Sequence, residues 1–528
     1  MRRNILNADK NIILDVNVIV DLWIRDNSAE ITEALIDESV ATGVKIWVAA
    51  SMLPTLDYVA KKLLKQRGVP SNKVKSLVAM LMNNLFSFAS VLTNYGFEQK
   101  DIYESAHDFE DAQIAATARS LFGSEVCIVT QDVEFDTIKE VSALTPAEAL
   151  LWIRDNNCDR NSTKISFIDL ATQQRTILPQ IEKSIFKVMR HGQYIMGPEI
   201  SELEDKLKVY VGAKHCITCA SGTDALLMAL MALDIAPEDE VITVPYTWIS
   251  TAEVISLLRA KPVFVDILPD TFNMNPEKLE SAINSRTRAI IPVGIYGQCA
   301  DMTRINSIAE KYGIPVIEDA AQCFGATHNG KKSCNLSVIG CTSFFPTKPL
   351  GCYGDGGAIF TNNDELADKM CQIRIHGQKV KHQHPIVGIN GRLDTLQASI
   401  LLEKFAIFPQ ECELRAKVAE HYNLLLSAIS DIQTPTISSG NSSVYAQYTI
   451  LSPNRDRLSQ SLSQYKIPSV AYYTVPLHLQ GAFAYLGYKK GDFPISENVS
   501  AQCLSLPMSP YLIEKEQQKI AKTISEKL

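Results

Sequence analysis

No stretch of this chain is long and apolar enough to lie across a bilayer. The longest uninterrupted apolar run, Ala225 to Leu233, falls well short of the roughly 18 residues that such a helix requires. The N-terminus MRRNILNADKNIILD has two arginines but lacks both an apolar core and a small-residue cleavage site, so it does not read as a signal peptide, and a cytoplasmic location is expected. A field of one sign is also missing. The 51 Lys and Arg stand against 59 Asp and Glu, a net charge of −8, which excludes a general basic attraction to nucleic acid or anionic lipid while allowing a local patch. Internal repeats and low-complexity tracts are absent. The 12 cysteines form no framework, and buried free cysteine packs as a small hydrophobe, so disulfides are not expected. Cys216 and Cys219 make a lone CxxC without a second pair or histidines at ligand spacing, which points to packing rather than zinc.

What is present is the composition of a folded protein. Apolar residues make up 46% and charged residues 21% of 528, a length that suits about three domains. The polar stretch from Arg154 to Thr163 has no apolar periodicity and reads as a linker, here set at 154–164. Before it, residues 1–153 offer apolar runs at Ile12 to Val16, Ile46 to Ala50 and Val126 to Thr130 with helical patterns between, the grammar of a small α/β domain with a mostly parallel sheet. After it, strand-like runs at Glu240 to Pro245, Pro262 to Asp266, Ala289 to Val293, Pro315 to Glu318 and Ala358 to Thr361 alternate with helical segments, which predicts a large α/β domain over 165–400. A long helical pattern and a mixed region then predict a smaller α+β domain over 401–528.

Four acids in the first domain fall near strand ends: Asp15 in LDVNVIVD, Asp108 and Asp111 in HDFEDAQIAATA, and Asp132 in IVTQD. Carboxylates gathered at one sheet edge repel one another unless a hard divalent cation neutralises them, and Mg²⁺ or Mn²⁺ so held activates water. Taken singly, Asp108 and Asp111 read as a helix cap and a first-turn acid. As a set, the phrases resemble the PIN domain, whose members often act as metal-dependent ribonucleases. That resemblance implies RNA as a partner for residues 10 to 150, with LTPAEAL as the closing phrase. It departs at AASMLPTLDYVAKK, where Thr55 stands closer than Asp57 to the register of a further acid.

The densest chemistry lies around TSFFPTKPLGCYGDGG. A lysine set among apolar and glycine-rich neighbours pays for its charge in desolvation, so its neutral amine becomes a nucleophile toward aldehydes, and Lys348 is that lysine. Standing alone before a proline it would read as a turn residue. Upstream, CASGTDALLMAL places Ser221, Gly222 and Thr223 at a helix N-terminus suited to a phosphate or to an ordinary cap. IPVIEDAAQ sets Asp319 at a strand end, where a carboxylate can hold a pyridine nitrogen protonated or cap the following helix, with Gln322 three residues on. Trp248 in PYTWISTAE can stack on a flat ring or simply pack.

In this order the pieces resemble the DegT/DnrJ/EryC1/StrS family of nucleotide-sugar aminotransferases, which have the fold-type I architecture of pyridoxal 5'-phosphate enzymes. The resemblance runs from about Ile165 to the C-terminus through FIDLATQQ, HGQYIMGPEISELE, SGTDAL, YGQCADM, IEDAAQCFGA, TSFFPTKPLGCYGDGGAIFT, GINGRLDTLQASILL, SVYAQYT and LSLPMSPYL. It is strongest to the members that aminate a UDP-linked 2-acetamido-3-oxo-glucuronic acid in O-antigen synthesis. It implies that Lys348 joins the cofactor as a Schiff base and then shuttles the proton, that Asp319 pairs with the ring nitrogen, that Gln322 bonds the phenolic oxygen and that Trp248 covers the ring. Gly222, Thr223 and Ser343 would hold the phosphate, and Asn390 would reach the phosphate in the other subunit of a homodimer. Arg392 would contact an anionic sugar or hold its loop. Tyr472 stands where relatives read histidine and Tyr473 keeps their tyrosine, so the sugar pocket is expected to differ, since a phenol cannot carry an imidazolium charge. The expected fold class is therefore α/β throughout, a PIN-like domain fused to a fold-type I aminotransferase, with UDP-sugar and glutamate as substrates. The rivals are an active ribonuclease with the aminotransferase part as a regulatory scaffold, and a PIN-like module that only docks a partner.

Overall fold

Short apolar runs without polar alternation suit strands covered on both faces, and several of them form sheets in the computed structural model, which describes residues 11–24, 29–42, 44–49, 52–92, 126–129, 142–144, 149 and 165–527. The chain divides into two compact units, Met1–Thr163 and Lys164–Leu528.

In the first unit β1 (Asn11–Leu14), β2 (Lys45–Ala49), β3 (Ser90–Leu92), β4 (Val126–Val129) and β5 (Ser142–Leu144) lie in the order β3-β2-β1-β4-β5, all parallel. Ile12, Ile13 and Leu14 of the central strand are fully buried and pack with Val18, Leu35, Leu56 and Leu85 from the surrounding helices. The strand order reverses at β1, so the carboxyl ends of β1 and β4 flank a topological switch point. Asp15 follows β1 there, 6% exposed, and its amide donates to the Val129 carbonyl at 3.0 Å. Asp108, Asp111 and Asp132 lie outside the described residues.

The second unit contains β6 (His215–Cys219), β7 (Glu240–Thr243), β8 (Lys261–Phe264), β9 (Thr287–Ile290), β10 (Ile317–Asp319), the two-residue strands β11 (Thr327–His328) and β12 (Lys331–Lys332), β13 (Ile339–Ser343), β14 (Gly357–Thr361), β15 (Tyr448–Leu451) and β16 (Cys503–Leu506). The parallel trio β8-β7-β9 joins the set β10-β13-β14-β6 through parallel bridges Ile290–Val316 and Val293–Asp319, giving one seven-stranded layer. Only β14 runs antiparallel to its neighbours in that layer. Alternate residues serve opposite faces, as the strand period requires. Ile217 and Ile359 pack with Leu226 and Leu230 of the helix Gly222–Ala232, while Cys216 and Phe360 meet Leu203 and Leu207 of the helix Pro198–Val211 on the other side.

The sequence-based division at 400/401 falls inside an unbroken helix, Thr395–Leu426. Neither glycine nor proline interrupts it before Pro409, and it belongs to both cores. Its start buries Ala398, Leu401 and Phe408 under the large sheet, and its end buries Val418, Tyr422 and Leu426 against β15 and β16. Among the described residues no helix is long and apolar enough to cross a membrane.

Candidate active site

Successive residues of a strand point to opposite faces, and β10 uses this to separate two buried acids. Glu318 turns to one side and accepts three backbone N–H bonds, from Cys334 at 2.9 Å, Leu336 at 2.6 Å and Ser337 at 3.1 Å; burial pushes its carboxyl up to about 7 against those donors. Asp319 turns to the other side, 6% exposed. Its carboxylate accepts from the Thr251 hydroxyl at 2.7 Å and the Ala321 amide at 3.2 Å. Burial raises its carboxyl above the ordinary range, and Thr251, Ala321 and the Lys348 ammonium work against that rise.

Lys348 stands in the connection between β13 and β14, part-buried, with its amide donating to the Phe345 carbonyl at 2.9 Å. Desolvation pulls its amine below the usual lysine range, partly offset by Asp319 and Cys323. Its Nζ has no hydrogen-bond acceptor among the described residues.

Gln322 has its orientation set by the backbone. Its Oε1 accepts the Tyr296 amide at 2.9 Å, which turns Nε2 toward the Tyr473 hydroxyl at 3.3 Å. The hydroxyls of Tyr246, at 2.7 Å, and Tyr296 both donate to the Tyr472 carbonyl, fixing the backbone just before Tyr473. The Trp248 ring, 58% exposed, lies 6.0 Å from the Tyr473 ring and tilted 42° to it. Tyr472 is half-buried, its ring 6.3 Å from that of Phe167.

Across the sheet, the register that pairs Ser343 with Gly357 and Gly357 with Cys219 brings the end of β13 to the start of the helix Gly222–Ala232. Ser221 caps that helix by accepting the Asp224 amide at 3.0 Å, and the Thr223 hydroxyl meets Ser250 Oγ at 2.8 Å. The amides of Gly222 and Thr223 have no acceptor among the described residues, as expected of first-turn donors. A Cβ on Gly222 would stand 2.6 Å from Ser343 Cβ, and one on Gly357 would stand 2.4 Å from the Ser221 carbonyl oxygen. Only glycine permits so close an approach. Beside this cradle runs the segment of Asn390 and Arg392: Gly391 accepts the Ala220 amide at 3.0 Å and donates to the Arg374 carbonyl at 3.1 Å. Asn390 is exposed, and the buried Nε of Arg392 has no partner among the described residues.

This donor set fits pyridoxal phosphate. Free amides at a helix N-terminus suit its phosphate, a buried carboxylate suits its ring nitrogen, an oriented amide N–H suits its phenolic oxygen, and an unpartnered amine suits its aldehyde. Sequence reasoning missed Ser250, Thr251, Tyr246 and Tyr296. The first two follow Trp248 in the quoted PYTWISTAE, but that they face Thr223 and Asp319 follows from the packing of the helix Ser250–Leu257, which no spacing announces. Cys216 and Cys219 are buried free thiols of β6, both pushed up by burial. Among the described residues no group of three or more His, Cys, Asp or Glu is arranged to hold a metal. Asp57 pairs with Lys61 at 2.5 Å along its own helix.

The mixed seven-stranded layer is that of the fold-type I class of aminotransferases. The chain belongs to the DegT/DnrJ/EryC1/StrS aminotransferase family, whose profile matches residues 176–525. It is 56% identical over 348 residues to the UDP-2-acetamido-2-deoxy-3-oxo-D-glucuronate aminotransferase of Pseudomonas aeruginosa, covering 66% of this chain and 96% of the relative. A crystal structure of a DegT DnrJ EryC1 StrS aminotransferase from Brucella abortus is similar at 46% identity and TM-score 0.66, covering 68% of this chain and 98% of that one. The structure of ntda from Bacillus subtilis with bound cofactor PMP is similar at 29% identity and TM-score 0.63, covering 70% and 86%.

Proposed function

We propose that the second unit transfers an amino group from glutamate to the keto carbon of a UDP-linked 3-oxo sugar, a 2-acetamido-3-oxo-glucuronic acid being favoured, in surface polysaccharide or O-antigen synthesis. The observation that carries this reading is Lys348, its Nζ free and its charge disfavoured, in the same site as the Asp319–Thr251 pair, in a chain 56% identical to an enzyme named for that reaction. Pyridoxal phosphate, when bound, supplies the electron sink that stabilises negative charge at the amine-bearing carbon.

The chain's residues do the rest. Gly222, Thr223 and Ser343 bind the phosphate and fix where the ring lies. Asp319, whose carboxylate accepts from Thr251 and Ala321, holds a proton on the ring nitrogen. Gln322 donates Nε2 to the phenolic oxygen, while Trp248 and Tyr473 shield the ring. Lys348 accepts and returns the proton at the substrate carbon, a role its depressed basicity suits. Because donor and acceptor use one site in turn, turnover is ping-pong. Arg392 offers a cation to the uronate, with Tyr472 and Tyr473 lining the sugar side. Asn390, exposed beside the cradle, reaches the cofactor phosphate of a second copy in a homodimer.

The test is the visible absorbance of the cofactor Schiff base before and after glutamate, with Lys348→Ala as control. A chromophore that bleaches toward the pyridoxamine form and is absent in the variant supports the reading; no chromophore with excess pyridoxal phosphate overturns it. Comparing UDP-linked 3-oxo sugars with and without the carboxylate then tests the substrate.

The first unit invites a separate reading, a PIN-like module. Its support is the all-parallel order reversing at β1, with Asp15 buried at the carboxyl end of that strand. In that reading Asp15, Asp108, Asp111 and Asp132 hold Mg²⁺ or Mn²⁺. RNA cleavage by the whole protein with Mn²⁺, lost in Asp111→Asn, is the expected result, and intact RNA overturns the nuclease.

A further inference from the structure

Lys404 lies on the helix Thr395–Leu426 and is only 2% exposed. An ammonium taken out of water normally finds a carboxylate, yet no carboxylate oxygen lies within ion-pair distance of Lys404 among the described residues. Its one hydrogen bond goes to the Gly351 carbonyl at 2.7 Å, with the Tyr353 ring 4.7 Å away. Gln397 stands two turns earlier on the same helix face. It accepts the Tyr353 amide at 2.9 Å and returns Nε2 to the Tyr353 carbonyl at 3.5 Å. Two side chains of one helix thus grip the stretch Gly351 to Tyr353, three residues beyond Lys348.

The rest of that connection transmits the grip. The Cys352 amide donates to the Phe344 carbonyl at 2.8 Å and the Lys348 amide to the Phe345 carbonyl at 2.9 Å, so the segment closes on itself. A Cβ on Gly351 would stand 2.6 Å from the carbonyl oxygens of both Phe345 and Pro346. Gly351 therefore cannot shift without moving the turn that carries Lys348. A methionine would fill the volume of Lys404 without burying a charge, so packing alone does not account for the lysine.

We infer that Lys404, assisted by Gln397, is a positioning residue that holds the Lys348 amine in its place in the cofactor site. The inference rests on the aminotransferase reading for its purpose but not for its test. It acts through the backbone, since Lys404 is not among the groups that shift the Lys348 amine.

The test measures Lys348 itself in cofactor-free protein. The amine is labelled with a small aldehyde, the imine is reduced by borohydride to a stable secondary amine, and mass spectrometry follows the rate at Lys348 across pH. In Lys404→Met the loosened segment lets water reach the amine, and the midpoint of that profile should rise by about one unit toward ordinary lysine. Gln397→Met, at a part-exposed site, should shift it the same way by less, and it decides the matter if Lys404→Met does not fold. An unchanged midpoint in the folded variants overturns the inference, whatever the holoenzyme's chromophore shows. With cofactor bound, a fall of about tenfold or more in the glutamate half-reaction without loss of cofactor would accompany the shift.

Discussion

At the scale of the residue, a hydroxyl and an amide in this site oppose what burial does to a carboxylate. Thr251 is the clearest case, because its hydrogen bond lowers a carboxyl that desolvation raises. Replacing it with valine should lift Asp319 further, so the acid limb of the activity profile should move to higher pH and kcat at neutral pH should fall by about tenfold, the worth of one bond to a charged group. A pH series on the purified variant checks this. Lys404 gives a stability prediction. Burial lowers its ammonium to about 8 from 10.5 while Glu411 and Cys352 oppose the shift, with Tyr353 facing it. Below about pH 8 both states are protonated and the penalty is constant. Between 8 and 10.5 the unfolded chain binds the extra proton, so the parent should gain up to about 3 kcal/mol over that window. Urea unfolding should show that slope, and Lys404→Met should lack it. Lys348, Asp319, Gln322 and Gly222 could be proposed from the sequence because each sits in a short phrase whose chemistry is local. Thr251, Tyr296 and Lys404 were not, since each acts on a group whose place is set only by tertiary packing.

At the scale of the element, the proposed phosphate cradle is a contact between a helix start and a strand end. Gly222→Ala would drive a Cβ into Ser343, so overpacking of about 1–3 kcal/mol is expected. Cofactor affinity should fall more than the melting temperature implies, because the same shift turns the free amides of Gly222 and Thr223 away; equilibrium titration with pyridoxal phosphate alongside a thermal melt separates the two. The strands that build this contact were the ones the sequence hid. HCITC and IGCTS mix small and polar residues and lack the Val and Ile runs that marked β7 and β9, yet as β6 and β13 every one of their residues except His215 and Ser343 is buried. Their strand character comes from pairing with β14. The helix Thr395–Leu426 was misjudged at its start for the opposite reason, since a continuous apolar pattern spanning two cores contains no boundary to read.

At the scale of the molecule, the family match begins at residue 176, within the second unit. A protein beginning at residue 164 should therefore fold, bind the cofactor and carry out the glutamate half-reaction at a rate within about threefold of the full chain. Loss of the chromophore in that shortened protein would show that the first unit is needed for the second. The antiparallel strand of the large sheet has a consequence in time. β6 must wait for β14, synthesised well over a hundred residues later, to gain its partner in the sheet, and such distant pairings form late. The helix start at Gly222 faces Ser343 only once that pairing is made. Lys348 precedes β14 on the ribosome, so a nascent chain that has just acquired its proposed phosphate site already carries the amine proposed to retain the cofactor.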